Sequence, residues 1–115
     1  MALSLTALGS SAPNSAPNVL SGATGIATAG VNYITYSGGA GAYTLAAPTA
    51  DGLGCVIMSL TAQAHVVTTP ANVINGADDT ATFANAVFNY IQMRSFGGQW
   101  ISNTQEKLNV TLSEV

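Results

Sequence analysis

Charge is the first thing this sequence lacks. Seven of its 115 residues are ionised at neutral pH, 6% of the chain, against about 25% in an ordinary soluble domain. None of the seven falls among the first 50 residues; the first is Asp51. The cations are Arg94 and Lys107 alone, so no basic stripe exists to neutralise phosphates, and a nucleic-acid partner is not expected. A basic helix lying on a membrane surface is excluded for the same reason. One cysteine, Cys55, rules out an intrachain disulfide and a multi-cysteine zinc site. One histidine and five carboxylates leave little material for acid–base or metal chemistry, and neither an enzyme nor a cofactor is expected. No apolar run approaches the ~20 residues of a membrane helix, and the start, Met1 to Pro13, has no positive segment of the kind a secretory signal carries. No membrane partner is expected.

What is present is apolar and small. Hydrophobic residues make up 48% of the chain, which excludes a chain held open by charge repulsion. Much of that share is alanine. The surface must therefore be built largely from Ala, Gly, Ser, Thr and Asn. Such a surface is neutral and loses little solvation when covered, which suits contacts with copies or neighbours.

Residues 1–28 read as an extended N-terminal arm, and 29–115 as a β domain. The arm contains a tandem tetrapeptide, Ser11–Asn14 followed by Ser15–Asn18. Pro13 and Pro17 fix their own φ and bias the preceding alanines towards extended conformations. Leu3, Leu5, Leu8, Val19 and Leu20 supply apolar points without a helical stripe. Those five residues and the two prolines are the expected interface residues, ordering on a neighbouring subunit.

From Val31 onward the pattern is β. Val31–Tyr36 is β-branched and aromatic, Ser37–Gly41 punctuates it, and Ala42–Ala46 makes a second strand. Gly54–Thr61 is the most apolar segment, and Ala64–Thr69 is expected to return from it as a hairpin around Ala62 and Gln63. Asn75–Gly76 is a turn dipeptide. A short helix over Asp78–Val87 is the less favoured reading of a stretch rich in Thr and Asn. Val87–Phe96 is a long strand that Gly97–Gly98 turns into Gln99–Asn103, setting Ser95 opposite Trp100. Asn109–Ser113 is a last short strand. Many short strands with regular turn signals predict an all-β fold, a small sandwich or barrel.

Each candidate for chemistry has a plainer reading. Cys55 and His65 fall on the two strands of the expected hairpin, but His65 then lies opposite Leu60 on the face carrying Val56, Met58 and Val67. That is a poor place for an activated thiolate. Asp78 and Asp79, beside Asn72 and Asn75, offer oxygen ligands without the spacing of a calcium loop, so they read as an exposed acidic turn. Gly38–Gly41 lacks the lysine of a phosphate loop. Trp100, Tyr33, Tyr36, Tyr43 and Tyr90 suit a sugar-stacking platform or, more commonly, a β core or inter-subunit seam.

The order of pieces has a parallel. Ala42–Gly52 leads into a buried strand, followed by Ala64–Pro70, Val73–Gly76 and Ala81–Phe83, and closing with a hydrophobic strand, Gly97–Gly98 and Trp100. Over roughly Val31–Asn103 this resembles small all-β modules in virion proteins of tailed bacteriophages, namely capsid decoration (cement) proteins and head or tail fibre proteins. The resemblance implies a subunit made in the host cytoplasm and placed on the outer capsid surface. It implies the major capsid protein as partner, self-association as a homotrimer, and no catalytic residues. A fibre normally has a shaft, so decoration is the expectation. The alternative is a short fibre or adhesin module that binds host glycan.

Overall fold

The computed structural model describes residues 16–22 and 25–115. It is all-β, as expected: ten strands in two sheets face each other across one core. In chain order the strands are β1 (Asn18–Leu20), β2 (Gly30–Ile34), β3 (Ala42–Thr44), β4 (Gly54–Ser59), β5 (Val66–Thr68), β6 (Thr80–Phe83), β7 (Tyr90–Phe96), β8 (Gln99–Ile101), β9 (Lys107–Leu108) and β10 (Val110–Ser113). The first sheet runs β1-β2-β4-β7-β8, with β9 also on β7; the second runs β10-β6-β5-β3.

The chain repeatedly changes sheets. β2 and β4 pair in parallel in the first sheet while β3, between them in sequence, lies in the second. β3 and β5 pair in parallel in the second sheet while β4 lies in the first. Even the link from β1 to its parallel neighbour β2 touches the second sheet, where the Ile26 amide donates to the Thr44 carbonyl at 2.8 Å. A parallel pair needs a crossover of about a dozen residues, and here strands of the opposite layer serve as the crossovers.

This arrangement corrects the expected hairpin between Gly54–Thr61 and Ala64–Thr69. β4 is already paired on both edges, to β2 and β7, so no edge is left for β5. Ala62–Gln63 also lacks the Gly or Asn that two-residue hairpins favour. The stretch 60–65 instead carries the chain across to the other sheet. The less favoured helix over Asp78–Val87 does not form; β6 occupies its centre. The expected Gly97–Gly98 hairpin does form. Both glycines hold positive φ, 62° and 78°, as a two-residue turn requires, and Ser95 faces Trp100.

Strand alternation fills the core. Leu20, Ile34, Cys55, Ile57, Ile91, Met93 and Trp100 point in from the first sheet; Tyr43, Val67, Ala81, Phe83 and Val110 point in from the second. Trp100 is fully buried, and its indole N–H donates to the Ala46 carbonyl at 2.9 Å. Two buried asparagine side chains are tied to backbone. Asn32 accepts from the Ala27 amide and donates to the Ala27 and Val56 carbonyls, which pins the β1–β2 link onto the sheet. Asn89 donates to the Ala84 and Ala86 carbonyls.

β1 also moves the expected arm boundary. The expected arm runs to residue 28, yet within it Asn18–Leu20 pairs with Asn32–Ile34. Leu20, an expected interface residue, is 2% exposed in this chain's own core. The physical reason is the same for both: a β-competent Asn-Val-Leu triplet finds the open edge of β2, and Leu20 then falls on the core side of the pleat.

Candidate functional site

Register defines what each sheet presents to the outside. In the first sheet, Val19 pairs with Tyr33, Tyr33 with Met58, Met58 with Tyr90, and Tyr90 with Leu108. These five side chains alternate with the buried positions of their strands, so they form one continuous row across the outward face. Val19 and Leu108, at the two ends, are 57% and 45% exposed; Tyr33, Met58 and Tyr90 are half-buried. A second row, Val31–Val56–Gln92, lies beside it, and a third runs Gly54–Arg94–Ile101. Arg94 is the one charged residue in these three rows.

One end of the same sheet adds a further apolar group. Leu60, Val87 and Phe88 are exposed and joined through backbone: the Phe88 amide donates to the Ser59 carbonyl at 2.7 Å, and the Ser59 amide to the Asn89 carbonyl at 2.9 Å. Phe88 is 59% exposed at a φ of 66°. A bulky side chain in left-handed backbone is strained by about 1–2 kcal/mol, and the Asn89 side chain and Ser59 hold it there.

The outward rows of the second sheet differ in kind. They read Ala42–Val66–Thr82–Thr111 and Thr44–Thr68–Thr80–Ser113, mostly hydroxyl side chains. A shallow depression on this side, lined by Thr44, Leu45, Ala46, Thr68, Thr69 and Pro70, contains no titratable group.

Leu3, Leu5, Leu8 and Pro13 lie outside the described residues. Pro17 is exposed just before β1, and Val19 stands at the end of the apolar row. The row itself was missed because its members are scattered from 19 to 108, and pairing across β2, β4 and β7 is invisible in one sequence.

Cys55 and His65 are both fully buried but have separate partners. Cys55 sits beside Asn32 and the Ala27 carbonyl, and burial pushes its thiol up to about 12, which keeps it protonated and unreactive. His65 Nδ1 accepts the Gly41 amide proton at 2.9 Å, so its own proton is on Nε2, facing Thr61 Oγ1 at 2.9 Å. Thr61 in turn donates to the Tyr36 carbonyl. Burial lowers the imidazole pKa, and Tyr43 packs edge-on at 5.7 Å between ring centroids. The group joins the connections 35–41 and 60–65 and is structural. Gly41 belongs to it, because a Cβ there would meet the Tyr43 ring at 2.6 Å.

The Asn75 side chain is used internally, accepting from the Ser102 amide and donating to its carbonyl. Asp79 accepts from Thr80 Oγ1 and the Val115 amide. Among the described residues no group of three or more His, Cys, Asp or Glu gathers as metal ligands, and no helix is long and apolar enough to cross a membrane. Of the five aromatic residues, Trp100 and Tyr43 lie in the core, the more common reading of them, and Tyr33, Tyr36 and Tyr90 stay partly exposed. What the geometry brings together is an uncharged apolar row, Val19–Tyr33–Met58–Tyr90–Leu108. Compared with family models, curated proteins and solved structures, the chain matches none of them.

Proposed function

We propose that this chain is a structural virion subunit, a capsid decoration (cement) protein on the outer surface of a tailed-bacteriophage head, with the major capsid protein as its partner. The observation that supports this is the apolar row Val19–Tyr33–Met58–Tyr90–Leu108 on a face with little charge to desolvate. The mechanism is linkage. A subunit that binds neighbouring capsomers only in the assembled shell lowers the free energy of that shell relative to its parts. Repeated weak contacts on a symmetric lattice then act at high effective concentration. The uncharged segment 1–15, with Leu3, Leu5, Leu8 and Pro13, supplies the shell contact in this reading, and the β domain supplies contacts between copies.

The test is occupancy. Deleting residues 1–15 spares Leu20 and the core, and should leave a folded β domain that no longer remains on purified heads. Heads that retain the truncated chain at full copy number would overturn the role of the arm. A copy number of a few per particle, instead of hundreds, would favour the fibre reading, in which Tyr33 and Tyr90 stack on a host sugar.

A further inference from the structure

We infer that the outward face of the six-stranded sheet pairs with the same face of a second copy of this chain, about a two-fold axis that runs along β4 and passes Met58. The inference goes beyond the virion reading and does not depend on it. Its ground is the order of side chains in the row, which is the same from either end: aliphatic, tyrosine, methionine, tyrosine, aliphatic, as Val19, Tyr33, Met58, Tyr90 and Leu108. An isologous interface must be self-complementary. A second copy laid face to face and turned half a revolution about β4 sets Met58 on Met58, Tyr33 on Tyr90 and Val19 on Leu108.

Charge and size agree with that occupant. The first two rows carry no charge, and Arg94, in the third, lies on the opposite side of the axis from its copy, so no like charges are pressed together. The row crosses four strand spacings and the rows run about five residues, roughly 19 by 17 Å. Side-chain girth enlarges this projection, and the patch stays below the ~800 Å² per partner of a standard-size interface, as a weak dimer would. Two twisted sheets stack in this way at about 30° and 10 Å apart, with side chains interdigitating, and methionine at the centre adapts to the fit. The symmetry is two-fold, so a trimer would need a different contact.

Sedimentation velocity on the full chain should show a monomer–dimer equilibrium in the micromolar range, about that expected of a lean interface. Met58→Lys places two ammonium groups on the axis and should weaken the dimer at least ~100-fold, with an unchanged circular dichroism spectrum. Met58→Cys should form a disulfide-linked dimer under mild oxidation, since the native Cys55 is buried, whereas Ala42→Cys on the other sheet should not. Val19→Cys should cross-link to Leu108→Cys in a mixture faster than to itself. A chain that stays monomeric to about 1 mM, well above the range set by the interface size, would overturn the inference. So would a folded Met58→Lys protein that still dimerises, a trimer, or cross-linking at Ala42→Cys in place of Met58→Cys. None of these outcomes touches capsid occupancy, so the two proposals fail separately.

Discussion

The two sheets share an interior and differ on the outside. Both bury one residue in two, and both contribute to one core. Outward, the β10-β6-β5-β3 sheet carries Thr44, Thr68, Thr82, Thr111 and Ser113 beside Ala42 and Val66, while the β1-β2-β4-β7 sheet carries Val19, Tyr33, Met58, Tyr90 and Val56 beside Gln92 and Arg94. A solvated antiparallel face is normally polar, whereas strands covered on both sides are apolar throughout. The second sheet is closer to the first pattern, and the central row of the six-stranded sheet is closer to the other, with Gln92 and Arg94 beside it. The difference teaches that two sheets sharing one core can carry unlike outer faces: the six-stranded sheet holds large apolar and aromatic side chains there, and its counterpart mainly small hydroxyl ones.

The largest effect should come from breaking what the sheets have in common. Trp100 is fully buried and bonded to Ala46, so Trp100→Ala should cost about 3–5 kcal/mol and lower the denaturant midpoint of both sheets together. Two separate transitions in urea, one per sheet, would show that the shared core does not couple them.

A smaller effect lies at the joint between the sheets. His65 is buried neutral, its Nδ1 facing the Gly41 amide, and its pKa is lowered by burial. The unfolded chain takes up a proton near pH 6.5 while the native imidazole does not, so the unfolded state binds more protons below that pH. Stability is therefore fully present above about pH 6.5 and declines as pH falls, by up to ~1.4 kcal/mol per pH unit until the native group titrates. Urea unfolding between pH 7.5 and 5 measures the slope, and imidazole chemical shifts should remain those of the Nε2–H tautomer at pH 6. A shift that follows a pKa of 6.5 would refute the assignment.

The smallest effect isolates the outer faces. Thr82 is on the hydroxyl face, half-buried in the Ala42–Val66–Thr82–Thr111 row. Thr82→Lys should change stability by no more than about 0.5 kcal/mol and leave self-association untouched. If it weakens association as much as Met58→Lys, the contrast between the faces is not the one that matters.

The pieces that were legible are local. Gly97–Gly98 fixes its hairpin because two adjacent residues can adopt positive φ, and the tract Gly54–Thr61 is apolar enough to be recognised as a buried strand. The failures are non-local. The hairpin expected around Ala62 and Gln63 was the shortest connection compatible with two apolar runs, but β4 had both edges taken by β2 and β7. Val56 and Met58 were placed with Val67 on one face, and the structure turns them outward on the opposite sheet from Val67. Leu20 was grouped with the arm because three residues beside a Pro-Asn repeat carry no periodic signal of their own. The row at the candidate surface spans residues 19 to 108, and no window of sequence contains it.

The sequence by itself determined that this is an all-β chain with a neutral surface and little means for acid–base chemistry, because strand propensity, turn residues and charge content are properties of single residues and their near neighbours. Only the tertiary structure decided which strands lie side by side, since parallel pairing through the opposite layer depends on which edges are free once the others have formed. That decision gathered Val19, Tyr33, Met58, Tyr90 and Leu108 onto one outward face. The same alternation that hides Leu20 and Ile57 exposes their neighbours, so the core and the surface were chosen by one register.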